Sequence, residues 1–129
     1  MSVFAGKHIF VIGEKTPQLK ELVELLTQKG AKITEFLSCS DLSDTVFQTE
    51  PVHLVVLNYL NGDDCCKHFL RSVHTAQTGA VIPVFALIED TSEKIHEVFS
   101  AGAADYLVSD EDTQSVLEKF ITIFAQEGS

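Results

Sequence analysis

Two short apolar runs limit this chain more than any other feature. Leu54-Val55-Val56-Leu57 and Val84-Phe85-Ala86-Leu87-Ile88 contain no polar residue. They are far shorter than the roughly 18 apolar residues of a membrane-spanning helix, and they favour β-structure. A strand with one wet face alternates apolar and polar residues. A strand without alternation is buried on both faces, as the central strands of a parallel sheet are. The full strands are expected over His53–Leu57 and Ile82–Ile88, with Pro83 near a strand start, where a missing N–H is tolerated. His8–Ile12 and Tyr106–Val108 are further apolar runs. The more mixed Lys32–Leu37 reads as an edge strand.

Helical patterns lie between these strands. Thr16 followed by Pro17 supplies a cap and a favourable first helical residue. Leu19, Leu22, Val23 and Leu26 then form one stripe, and Gly30 stands where a helix closes. Ser40 is expected to cap a short second helix carrying Leu42, Val46 and Phe47. Asp63 and Asp64 suit the N-terminus of a third, whose stripe is Cys66, Phe69, Leu70 and Val73. Asp90 with Glu93 resembles a capping box ahead of Ile95, Val98 and Phe99, and Gly102 ends that fourth helix. The fifth presents Val116, Leu117, Phe120, Ile121 and Phe124, with Gln126 to Ser129 as a trailing end.

Strand followed by helix, five times over, implies an α/β fold: a parallel sheet with helices on both faces. With right-handed crossovers, the expected architecture is flavodoxin-like, a doubly wound five-stranded sheet of order 2-1-3-4-5 with five helices. Sites in such sheets form at the carboxyl ends of the strands, near the switch point. Those ends here are Gly13 and Glu14, Asn58 to Gly62, Ile88 and Glu89, and Ser109.

Composition sets outer bounds. The 129 residues, 45% of them hydrophobic and nine of them Phe, suffice for one domain over residues 1–129 with a real core. A formal net charge of −10 disfavours nucleic-acid phosphates and anionic membranes as partners, leaving basic protein surfaces. Met1 to Lys7 has no signal-peptide character. Three cysteines, two of them adjacent, form no disulfide framework, and a reducing cytoplasm is the expected location.

Sequence motifs then point to one family. Ala101-Gly102-Ala103-Ala104-Asp105-Tyr106-Leu107-Val108 resembles the AGADDYL-V segment of response-regulator receiver domains in two-component signalling. Ile82-Pro83-Val84-Phe85-Ala86-Leu87 is similar to the family's fourth strand, and Leu54-Val55-Val56-Leu57 precedes the position of its phosphoacceptor. The resemblance runs essentially end to end and implies the CheY-like form of the fold. It also implies a chemistry: an aspartate nucleophile after the third strand, an acidic pair after the first that helps hold Mg²⁺, a hydroxyl after the fourth and a lysine after the fifth. Such transfers depend on positioning and charge neutralisation.

This chain departs at each position. The nucleophile is replaced by Asn58, whose carboxamide is uncharged. The acidic pair reads Gly13-Glu14. The hydroxyl is replaced by Ile88, the lysine by Ser109, and the proline after it by Asp110. A unit of this kind fails when one positioned part is removed. Gly13, Glu14, Asn58, Ile88 and Ser109 are therefore expected to form a degenerate phosphorylation pocket, with no catalytic residue, no metal and no cofactor. Glu14, Asp63 and Asp64 could together gather a divalent cation, but placement of the two aspartates at a helix N-terminus explains them better. Tyr106 falls where the family has its aromatic switch residue. It is expected to keep one rotamer beside Ile88 and to mark an interface. Cys66 lies on an apolar stripe, so core packing explains it better than redox chemistry with Cys65. The five histidines, His8, His53, His68, His74 and His96, are scattered and expected at surfaces or edges.

The expected function is a non-phosphorylatable pseudo-receiver: not an enzyme, but a protein–protein interaction module in a two-component pathway. A histidine kinase, an output domain or a second copy of the chain would be its partner. Homodimerisation would use the face of the fourth helix, fifth strand and fifth helix. The alternative is a small-ligand sensor using the vacated pocket, although no glycine-rich phosphate loop follows the first strand.

Overall fold

The computed structural model describes residues 4–14, 16–37, 52–60, 68, 83–108 and 110–127. Five strands form one parallel sheet: β1 (His8–Ile12), β2 (Lys32–Phe36), β3 (Leu54–Asn58), β4 (Val84–Ile88) and β5 (Asp105–Val108). Their order is β2-β1-β3-β4-β5, as the alternating pattern implies. Three helices are described: α1 (Pro17–Gln28), α2 (Ser92–Ala101) and α3 (Thr113–Glu127). They are the first, fourth and fifth helical patterns of the sequence. The second and third patterns lie outside the described residues, apart from His68, which is helical and exposed.

The unbroken apolar runs are central strands buried on both faces. Every residue of β4 is buried, as are Leu54 to Leu57 of β3. Side chains alternate between two cores. One holds Phe10, Ile12, Val55, Leu57, Ala86 and Ile88 with Val98 of α2. The other holds Ile9, Val11, Val56, Phe85 and Leu87 against Leu19, Leu22 and Leu26 of α1 and Val116, Leu117 and Phe120 of α3. Phe85 and Phe120 meet edge to face at 4.9 Å between ring centroids, an arrangement aromatic pairs prefer.

Helix ends follow the local chemistry. Thr16 caps α1, its hydroxyl accepting from the Leu19 N–H, and Pro17 opens the helix. Gly30, at φ 97°, turns the chain into β2. α2 departs from expectation: its cap is Thr91 rather than Asp90. The helix starts one residue later than the Asp90–Glu93 box requires. The Thr91 hydroxyl accepts from the Lys94 N–H at 3.2 Å, and Glu93 falls in the first turn, where a carboxylate suits the helix dipole. Gly102 ends α2 at φ 114°.

Other expectations need correction. Phe99 and Ile121, assigned to core stripes, are 44% and 38% exposed. They sit at the margins of stripes whose centres, Val98 and Phe120, already fill the space against the sheet. α3 continues beyond Phe124 to Glu127. Leu37 lies beyond β2 and is 81% exposed. His8, expected at a surface, is buried at the amino end of β1, with Nε2 2.7 Å from the Thr34 hydroxyl. Its backbone N–H donates to Nδ1 of His53 at 3.0 Å. These partners replace the water that an edge histidine would use. Among the described residues, no helix is long and apolar enough to cross a membrane.

Candidate functional site

The strand order reverses between β1 and β3, and the rim above that point is built by three segments. Gly13 follows β1 with φ 106°. Its N–H donates to the Phe36 carbonyl at 2.9 Å, tying the turn to the end of β2. A Cβ on Gly13 would stand 2.7 Å from the Cβ of Asn58. The residue is glycine for two reasons: the backbone is left-handed, and the neighbouring strand end leaves no room.

Asn58, the last residue of β3, is half-buried. Its Nδ2 donates to the Glu14 carbonyl at 2.6 Å, and its Oδ1 accepts from the Leu60 N–H at 3.1 Å. These partners fix the amide orientation, because a flipped carboxamide would set oxygen against oxygen and N–H against N–H. Next along the chain, the Tyr59 N–H donates to the Leu87 carbonyl at 2.9 Å, and its ring is buried in the core that also holds Ile88.

Ile88 is wholly buried. It shares its core with Val98 and Tyr59, and Tyr106 packs against that core from β5. The end of β4 therefore offers the rim no hydroxyl. Glu14, Glu89, Asp90 and Asp110 are all exposed around it. Gly13, Glu14, Asn58 and Ile88 do converge on the strand ends. Ser109 lies outside the described residues, as do Asn61, Gly62, Asp63, Asp64 and all three cysteines.

Among the described residues, the groups at this rim do not fit the divalent-cation binding that the resemblance implies. Hard cations take oxygen ligands. Asn58 aims an N–H at the Glu14 carbonyl, Gly13 has no side chain, and no group of three or more His, Cys, Asp or Glu side chains capable of holding a metal occurs among the described residues.

A second polar cluster lies just beyond β5. Lys119 of α3 donates to the Tyr106 carbonyl at 3.0 Å and pairs with the Glu111 carboxylate at 3.1 Å. Its ammonium also lies 5.1 Å from the centroid of the Tyr106 ring, a cation–π contact. Glu111 accepts further from the Val108 N–H at 3.3 Å and the Ser115 hydroxyl at 3.1 Å. Gln18 of α1 completes the cluster, donating to the Val108 and Glu111 carbonyls at 2.9 and 2.8 Å. The Tyr106 ring also meets Phe99 edge to face, at 6.0 Å between ring centroids. Sequence reading missed Gln18, Glu111 and Lys119. The spacing of Ser115 and Lys119 by four puts these two on one stripe of α3, whereas Glu111 precedes the helix and reaches them from the β5–α3 turn. Gln18 carried no signal, because its partners are backbone carbonyls 90 and 93 residues away.

No family model matches the chain, and no curated protein matches its sequence. Solved structures do match. The beryllofluoride-activated DrrB receiver domain superposes with a TM-score of 0.75 at 23% identity, over 92% of this chain and 97% of that one. The receiver domain of TorR, the response regulator of a TMAO respiratory system, gives 0.79 at 16% identity, over 93% and 98%. A response regulator from Thermotoga maritima gives 0.77 at 18%, over 92% and 98%. The chain thus has the fold of response-regulator receiver domains. At these identities the likeness concerns the scaffold and leaves the chemistry to the residues at the rim.

Proposed function

We propose that the chain is one receiver-like domain, spanning residues 1–129, that works in two-component-type signalling through protein association and not as a phosphoacceptor. The observation that carries this reading is Asn58. At the strand end where the family has its nucleophile, a neutral carboxamide is bonded to Glu14 and Leu60. Ile88 in place of a hydroxyl supports it: its burial leaves nothing on β4 to follow a phosphoryl group. The associating surface is the face of α2, β5 and α3, around half-buried Tyr106 with exposed Phe99 beside it. Lys119 and Phe99 both contact the Tyr106 ring, which supports a surface presented without a switching event.

One experiment tests both halves. The protein is incubated with acetyl phosphate and MgCl₂, and its intact mass and light scattering are followed together. No phosphoryl adduct is expected. Self-association is expected to be the same with and without the phosphodonor, and weaker by about tenfold or more in Tyr106→Ala, as for an aromatic interface anchor. A stable adduct sinks the first half. A Tyr106→Ala protein that associates like the parent, or a parent that stays monomeric and ignores basic partner domains, sinks the second.

A further inference from the structure

Among the described residues, the two segments that flank the switch point are bonded to each other. The loop after β1 and the end of β3 meet through the carboxamide of Asn58. Its Nδ2 bridges to the Glu14 carbonyl at 2.6 Å while its Oδ1 holds the Leu60 N–H. The close pairing extends one residue back, where Gly13 lies so near Asn58 that a Cβ would stand at 2.7 Å. If residue 58 were a carboxylate in the same rotamer, two oxygens would face each other at that distance. Oxygens come this close only with a shared proton or a cation between them. The amide N–H supplies the proton.

We infer that the Asn58 carboxamide is a staple standing in for the divalent cation of a charged version of this rim, and that it holds the β1–α1 loop onto β3 without metal. Asparagine at position 58 is then a structural requirement of the present rim and not merely a lost nucleophile. Restoring an acid there alone does not restore a receiver; it produces a loop that depends on cation. The staple rests on reading Asn58 as the replaced phosphoacceptor, but its test measures stability and is independent of phosphorylation and association.

The test is thermal unfolding of the full chain, Asn58→Asp and Asn58→Ala, each with EDTA or with excess MgCl₂. In EDTA, Asn58→Asp is expected to melt about 5 °C or more below the parent, the size of shift one lost charge-sensitive contact gives in a domain this small. MgCl₂ is expected to return most of that loss. Asn58→Ala, which loses the donor without gaining charge, is expected to melt between the two and to ignore MgCl₂, as is the parent. A chain carrying Asn58→Asp that folds only with MgCl₂ also supports the staple. Asn58→Asp melting like the parent in EDTA overturns it. So does an Asn58→Asp loss that MgCl₂ leaves in place, or a parent that gains as much from MgCl₂ as the aspartate variant.

Discussion

The two rims of the sheet solve opposite problems with similar residues. At the amino ends, polar groups are taken inside. His8 is buried, its ring bonded to Thr34 and stacked edge to face on Phe10 at 5.0 Å, and its backbone N–H bonded to His53. Phe4 meets Phe124 there at 5.7 Å, and Lys7 lies 5.2 Å from the centroid of the same ring. At the carboxyl ends, polar groups stay half-buried or exposed, and what closes the rim is short-range bonding at Gly13, Glu14 and Asn58. Ligand chemistry in this class of fold belongs to the carboxyl rim. A buried polar group at the amino rim is therefore architecture, whereas one at the carboxyl rim invites a functional reading. By that contrast Asn58, at the carboxyl rim but bonded on both sides of its carboxamide, is held in the way the amino-rim groups are.

The sharpest way to break the contrast is Gly13→Ala. The substitution forces an L-residue into φ 106° and brings its Cβ to 2.7 Å from that of Asn58. Left-handed strain and overpacking each cost roughly 1–3 kcal/mol, so a loss of about 3 kcal/mol is expected. Urea unfolding measures it as a lower midpoint at unchanged slope. A loss under about 1 kcal/mol shows that the β1–α1 loop can move away from β3, and the carboxyl rim is then as loose as an open ligand site.

His8→Ala tests the other rim. It removes a buried ring and the bond to Thr34 while leaving the backbone bond to His53 in place. A loss of about 2 kcal/mol is expected, from the vacated space and the missing hydrogen bond. A double-mutant cycle with Thr34→Val separates the two, and a coupling near zero refutes the claim that the histidine is there for its bond.

How much of this was legible in the sequence depended on the distance over which each signal acts. The strands of β3 and β4 were legible because unbroken apolarity has one structural meaning in a short run, and Thr16 and Gly30 because caps are local. The Thr91 cap was misplaced because Asp90 and Thr91 are adjacent and both cap well. Membership of the carboxyl rim was legible through the family resemblance, which placed Gly13, Glu14, Asn58 and Ile88 together. What they do there was not. The bond from Asn58 to Glu14 spans 44 residues and ends on a backbone carbonyl, which leaves no trace in residue identity. His8 was hidden for a related reason: its partners come from β2 and the residue before β3, and only the register of three strands brings them together.

The smallest expected effect is also the most discriminating for the surface at β5. Lys119→Met keeps the aliphatic stem and removes the ammonium that joins the Tyr106 carbonyl, the Tyr106 ring and Glu111. Glu111 keeps the Val108 N–H and the Ser115 hydroxyl, so its carboxylate is not stranded. Because the lysine side chain is 28% exposed, solvent screens the pair. Stability should fall by only about 0.5–1 kcal/mol. Association should respond more strongly than stability, because the Tyr106 ring then keeps its contact with Phe99 but loses the cation–π contact. The paired measurement is the unfolding midpoint beside the self-association constant. A variant that loses stability but associates as the parent does shows that Lys119 supports β5 and leaves the Tyr106 surface unaffected. A loss of association out of proportion to stability places the fixing of Tyr106 within the binding function itself.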